Sequence, residues 1–155
     1  MAFDGIGHRV YNLRGRTVHS FDVAADQLGQ GTETSPGTRD FVNGQVAAPQ
    51  EVGFSYSAGR KRGGGEFANE APAGGGRWDA GHLLGRQNGG LGDVNAGVFP
   101  QNPQINRGNR LNGKPTRDTW RAHEDVFHSA VEGSGRGQWS VTTRDRPRVR
   151  YDQFF

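Results

Sequence analysis

The chain has 155 residues, 32% of them hydrophobic and 26 of them glycine, with a formal net charge of +3, which suits one domain with a small core and much loop. It contains no cysteine, which excludes disulfides, thiol nucleophiles and Cys-ligated zinc. No apolar run approaches the roughly 20 residues of a membrane span, and residues 1–10 lack the charged and apolar regions of a signal peptide. The charge is uneven: residues 1–76 carry seven Lys/Arg against eight Asp/Glu, and residues 77–155 carry twelve against eight. A basic second half makes a polyanionic partner plausible, without bearing on the fold.

In chain order, residues 1–58 show short apolar–polar alternations at 18–23, 41–46 and 52–56, which predict accessory strands separated by turns. Gly59-Arg60-Lys61-Arg62-Gly63-Gly64-Gly65 and Gly74-Gly75-Gly76 predict two mobile loops, the first with a basic tip. Residues 78–84 predict a strand with Trp78, His82 and Leu84 on one face and Asp79, Gly81 and Leu83 on the other. Asn88-Gly89-Gly90 predicts a tight turn within a loose connection, and residues 96–101 a second strand stopped by Pro100 and Pro103.

After a polar segment at 102–115, residues 116–132 predict the main helix. Thr116 would cap it, Asp118 suits its first turn and Gly133 would end it. On this helix Trp120, Glu124, Phe127 and Val131 fall on a single buried face. Glu124 therefore points inward, where a carboxylate needs a cation, a donor or bound water. The basic C-terminal stretch, 139–151, predicts strands at 139–143 and 148–151, with Arg144, Arg146, Arg148 and Arg150 on one face. That pattern suits either an edge strand protected by charge or a surface that tracks phosphates.

Four short patterns follow one another: Asp79-Ala80-Gly81-His82, Pro100-Gln101, Asn106-Arg107-Gly108, and Trp120 with Glu124. Phosphodiester hydrolysis needs an activated water and neutralisation of the charge that develops on phosphoryl oxygens. His82 suits the base, because neutral imidazole accepts a proton on one nitrogen while a carbonyl or carboxylate holds the other. Asn106 offers a neutral oxygen to a hard ion such as Mg²⁺, and Glu124 can orient that ion's waters. Asp79, pointing away from His82, is expected to brace the scaffold. An unbroken helix from Asn106 to Glu124 would separate them by roughly 27 Å. Gly108, Gly113 and Pro115 must therefore interrupt it, or Asn109 or Asn112 becomes the better ligand. His8, His19 and His123 are read as surface or structural, and His128 as a candidate phosphate contact.

Over residues 77–132 these motifs resemble the DNA/RNA non-specific endonuclease family, the His-Me finger nucleases, whose ββα-metal core carries Asp-Arg-Gly-His. The resemblance implies a small α+β single domain, spanning 1–155, with short antiparallel strands and one main helix. It implies His82, Glu124 and Asp79 in catalysis, a single Mg²⁺, Mn²⁺ or other divalent ion on Asn106 with Glu124 acting through water, and Gln101 and Trp120 in support. Ala80 stands where the family has arginine, and His128 stands one turn after Glu124, where an arginine would be expected. A phosphate-stabilising arginine must then come from elsewhere; Arg60, Arg62, Arg77 and Arg121 are candidates, with Arg144, Arg146, Arg148 and Arg150 as further substrate contacts. The implied partners are DNA and RNA, with no membrane. The implied setting is a toxin domain delivered into a target cell's cytoplasm and held in check by an inhibitor protein; otherwise the chain is expected to be cytoplasmic. A non-catalytic nucleic-acid-binding module and a structural domain of a larger secreted protein are the alternatives.

Overall fold

Alternating apolar and polar residues build the strands of the main sheet: β1 (Arg9–Leu13), β2 (Arg16–Ala24), β3 (Glu51–Ala58), β4 (Lys61–Ala68) and β9 (Arg136–Arg144). The computed structural model describes residues 7–44, 46–107, 110–111, 114–115 and 120–144. The five strands run antiparallel in the order β1-β2-β9-β3-β4. The remaining elements are α1 (Pro36–Gly44), β5 (Asp79–His82), β6 (Val98–Gln101), α2 (Pro103–Arg107), β7 (Arg110–Leu111), β8 (Lys114–Pro115) and α3 (Trp120–Ser134). The chain is thus a small α+β fold with antiparallel sheets and few helices.

α3 lays Trp120, Phe127 and Val131 onto the sheet, against Phe21, Phe54, Tyr56, Trp139 and Val141. Burial of such side chains at roughly 1.5–3 kcal/mol each supplies the main driving force for this contact. Glu124 lies on the same buried face, as its spacing predicts. Leu83, Leu84 and Phe99 join the core from the β5–β6 side, and the Trp139 indole N–H donates to the Leu83 carbonyl at 3.1 Å. The residue that follows His82 is thereby tied to the central strand of the sheet.

Residues 41–44 are helical, not extended: Ser35 Oγ accepts the Thr38 N–H at 3.1 Å and Pro36 opens α1. α1 backs the β5–β6 pair, with Val42 packed against Ala80 and Val98 and with Asn43 bonded to both backbone groups of Trp78. Lys61-Arg62-Gly63-Gly64-Gly65 forms strand rather than loop, paired with β3, and a side chain at Gly63 would collide with the Tyr56 ring there, which accounts for glycine within the strand. β9 lies in the middle of the sheet, so Trp139 is opposite both Phe21 and Tyr56, and 139–143 is no charge-protected edge. α3 runs through Gly133 and stops at Gly135, whose φ of 91° is left-handed and whose N–H reaches back to the Val131 carbonyl. Residues 1–58 are more than accessory: they provide three of the five strands of the main sheet. Thr116, Asp118 and the strand expected at 148–151 lie outside the described residues.

Candidate active site

β5 and β6 pair antiparallel, Asp79 opposite Gln101 and His82 opposite Val98. The connection between them is not a tight hairpin; it carries 3-10 turns at Arg86–Asn88 and Asn95–Gly97, and Gly89 alone of 88–90 takes a left-handed φ, 100°. After β6 the polar segment folds into α2, which presents Asn106, and then into the two-residue strands β7 and β8, which pair with each other. This small hairpin interrupts the path between Asn106 and Glu124. Asn109 and Asn112 lie outside the described residues.

One cleft of about 430 Å³ is lined by His82, Asn106 and Glu124, together with Gly85 and the arginines Arg86, Arg107 and Arg121. Three side chains far apart in sequence therefore meet at one surface. His82 Nε2 lies 2.8 Å from the Thr32 carbonyl oxygen. A carbonyl only accepts, so Nε2 carries the proton and Nδ1 keeps the lone pair. Burial holds the ring below the usual imidazole pKa and the Arg86 charge adds to this, while the Thr32 bond and the Asp93 charge oppose it. His82 is therefore neutral near pH 7, as a base must be.

Asn106 Nδ2 donates to Asp79 Oδ2 at 2.9 Å, which leaves the amide oxygen as the group free to bind a ligand. Asp79 also holds Arg107 by two bonds of 3.0 Å, Nε to Oδ2 and Nη2 to Oδ1. Asp79 thus points away from His82, as its strand position predicts, but reaches the cleft through Asn106. Glu124 is 8% exposed, and no ion pair holds it among the described residues. Burial pushes its carboxyl up to about 8, Asp125 adds to the rise, and Arg121 and the Trp120 indole oppose it. A side chain on Gly85 would sit 2.7 Å from Glu124 Oε2, so the loop presses its bare backbone against this carboxylate.

Gln101 is fully buried, and neither of its amide atoms has a hydrogen-bond partner among the described residues. A side chain at Gly81 would collide with the Gln101 amide oxygen, which accounts for glycine before His82. His128 Nδ1 lies 3.1 Å from the Gln87 carbonyl and 3.2 Å from Asn88 Oδ1, so it stitches the β5–β6 connection to α3 and does not line the cleft. His123 meets the Tyr56 hydroxyl, and His8 stacks on His19 and Phe21.

No protein-family model, curated protein or solved structure matches this chain.

Of the arginines expected at substrate, Arg121 lines the cleft, whereas Arg60, Arg62 and Arg77 do not. Arg60 lies at the β3–β4 turn, Arg62 is the second residue of the exposed edge strand β4, and Arg77 pairs with Asp40 at 3.4 Å. Arg144 is engaged by Glu51 at 2.7 Å, and Arg146, Arg148 and Arg150 lie outside the described residues. Sequence reasoning missed Thr32, Gly85 and Arg86, and it passed over Arg107 as a charge. Thr32 acts through a backbone carbonyl, which leaves no side-chain signal. Arg86 was detectable only by its position four residues after His82.

Proposed function

We propose that this domain is a metal-dependent endonuclease that hydrolyses phosphodiester bonds in DNA and RNA without sequence preference, on a ββα-metal core formed by β5, β6 and α3. The observation that carries this reading is the meeting of a neutral histidine, an oriented asparagine and a buried glutamate in one arginine-lined cleft.

The residues present fit a single hard divalent ion such as Mg²⁺ or Mn²⁺. Asn106 offers an oxygen whose amide is fixed from behind by Asp79, and Glu124 brings a buried carboxyl group, paired with no arginine among the described residues, which a bound cation would favour in its ionised form. Among the described residues no three His, Asp or Glu side chains form a ready metal cage. That suits an ion that keeps most of its water shell and takes one protein ligand. When bound, the ion supplies positive charge to the phosphoryl and departing oxygens.

His82 Nδ1 takes a proton from the attacking water, while the Thr32 carbonyl holds the ring in the required tautomer. Glu124 accepts hydrogen bonds from water at the cleft floor and so orients it. The cleft arginines attract the backbone of a polyanion whatever its sequence.

The test is incubation of supercoiled plasmid and of RNA with the protein in Mg²⁺ or in EDTA. Nicked and linear plasmid and shortened RNA are expected in Mg²⁺ alone. Absence of cutting in Mg²⁺ and Mn²⁺, or equal cutting in EDTA, overturns the reading. Salt-sensitive binding without cutting would indicate a binding module, and neither activity a structural domain. On this reading the chain suits a toxin nuclease guarded by an inhibitor protein. Bacteria expressing it alone should then stop growing, and normal growth counts against that setting.

A further inference from the structure

Each of the three arginines that line the cleft rests on a carboxylate, but the three pairs are not alike. Arg107 is held by two 3.0 Å bonds to Asp79, whose side chain is only 20% exposed. That pair is built into the support of Asn106 and is poorly placed to open. Arg121 approaches Asp125 at 4.0 Å one turn along α3, within the Coulomb field of Glu124. Its charge is already directed at the buried carboxylate.

Arg86 differs. Its Nη1 donates to Glu33 Oε1 at 2.9 Å, with side chains 59% and 75% exposed. A solvated pair of this kind is weak, and any anion of comparable charge can compete for it. The backbone of Arg86 is nonetheless fixed. Gly31 packs so closely that any side chain there would collide with the Arg86 carbonyl, and the Gly29 N–H donates to the neighbouring Gln87 carbonyl at 2.9 Å. The strap that clamps the turn also carries Thr32, which holds His82, and Glu33, which holds Arg86. The Arg86 charge is close enough to His82 to act on its ring. A fixed base, a movable guanidinium and its exposed counter-ion thus lie side by side at the cleft wall.

We propose that Glu33 is the resting occupant of an anion site formed by Arg86, and that a phosphate of the nucleic-acid backbone displaces it, making Arg86 the exchangeable phosphate contact beside His82. The proposal rests on the nuclease reading for its ligand, but its test is separable. Loss of Arg86 removes one charge-assisted phosphate contact. Loss of the Glu33 charge removes only the competitor. The two substitutions must therefore move affinity in opposite directions, and the second must act only through the first.

The experiment measures binding of a short fluorescein-labelled DNA duplex by fluorescence anisotropy in EDTA, where no cutting intervenes. The proteins are wild type, Arg86→Ala, Glu33→Gln and the double variant, each checked by thermal melt. Arg86→Ala should bind roughly tenfold more weakly, with a salt slope shallower by about one phosphate contact. Glu33→Gln should bind roughly two- to fivefold more tightly, the range set by an exposed pair. In the Arg86→Ala background Glu33→Gln should gain nothing. Unchanged binding by Arg86→Ala overturns the proposal, as does a Glu33→Gln gain that persists without Arg86. If wild-type protein cuts neither DNA nor RNA in Mg²⁺, the nuclease reading falls, and the binding cycle still decides the exchange.

Discussion

Glu124 gives the prediction most directly worked from the structure. Burial raises its carboxyl from 4.5 to about 8. Below about pH 4.5 the group is protonated in folded and unfolded chains alike and contributes nothing to the difference between them. Between 4.5 and 8 the unfolded chain is ionised while the folded chain keeps its proton, so stability falls as pH rises. At ~1.4 kcal/mol per pH unit the loss approaches ~5 kcal/mol, with water at the cleft mouth reducing it. Glu124→Gln copies the neutral acid and should abolish this loss. In EDTA the variant and wild type should melt together at about pH 4.5 and diverge by roughly 10 °C at about pH 8.5, the variant higher. His82 and His19, whose pKa values burial lowers, destabilise both proteins equally as pH falls, so the comparison isolates Glu124. Thermal melts followed by circular dichroism provide the assay, and Mg²⁺ should narrow the gap at high pH. A constant offset between the two proteins across this range would refute the reasoning.

Other consequences follow from individual contacts. Asp79→Asn removes an acceptor shared by Asn106 and Arg107, and should raise the Mg²⁺ concentration for half-maximal cutting by about 10–100-fold; an unchanged Mg²⁺ titration would contradict this. Because burial lowers the His82 pKa, the acidic limb of kcat/KM that remains in a Glu124→Gln background should lie below pH 6.5, and a limb above pH 7 in that variant's pH–rate profile would exclude His82 as its source. Gly85→Ala places a methyl group against Glu124 Oε2 and should depress cutting with little loss of fold, measured as nicking rate beside a melting curve. Phe127→Ala empties a fully buried site under Trp139 and should cost about 3–5 kcal/mol in urea unfolding, far more than any surface arginine substitution.

The parts of this molecule that were legible in sequence are those set by periodicity. The buried face of α3 is Trp120, Glu124, Phe127 and Val131, as the helical spacing requires, and 79–82 pairs with 98–101. Other features were obscured by competing signals. Phe41 and Val46 suggested alternation, although Ser35 and Pro36 were already a helix start; the capping hydroxyl outweighs the apolar spacing. Gly63 to Gly65 resembled a loop because glycine weakens isolated strands, and only the Tyr56 ring across the sheet explains their use in β4. The central position of β9 depends on pairing with strands more than 80 residues earlier, which no local pattern encodes. At the site, side-chain chemistry identified His82, Asn106 and Glu124 as candidates, whereas the Thr32 carbonyl and the bare backbone at Gly85 were invisible because each acts without a side chain.

The central claim is that His82, Asn106 and Glu124 act together in one cleft, with His82 as the base. Its most direct test is the initial rate of plasmid nicking in Mg²⁺ by wild type and His82→Ala, at equal folded concentration confirmed by melting. Wild-type protein should nick the plasmid and His82→Ala should be slower by at least about 100-fold, within the range a positioned general base contributes. Nicking by His82→Ala at the wild-type rate would contradict the account.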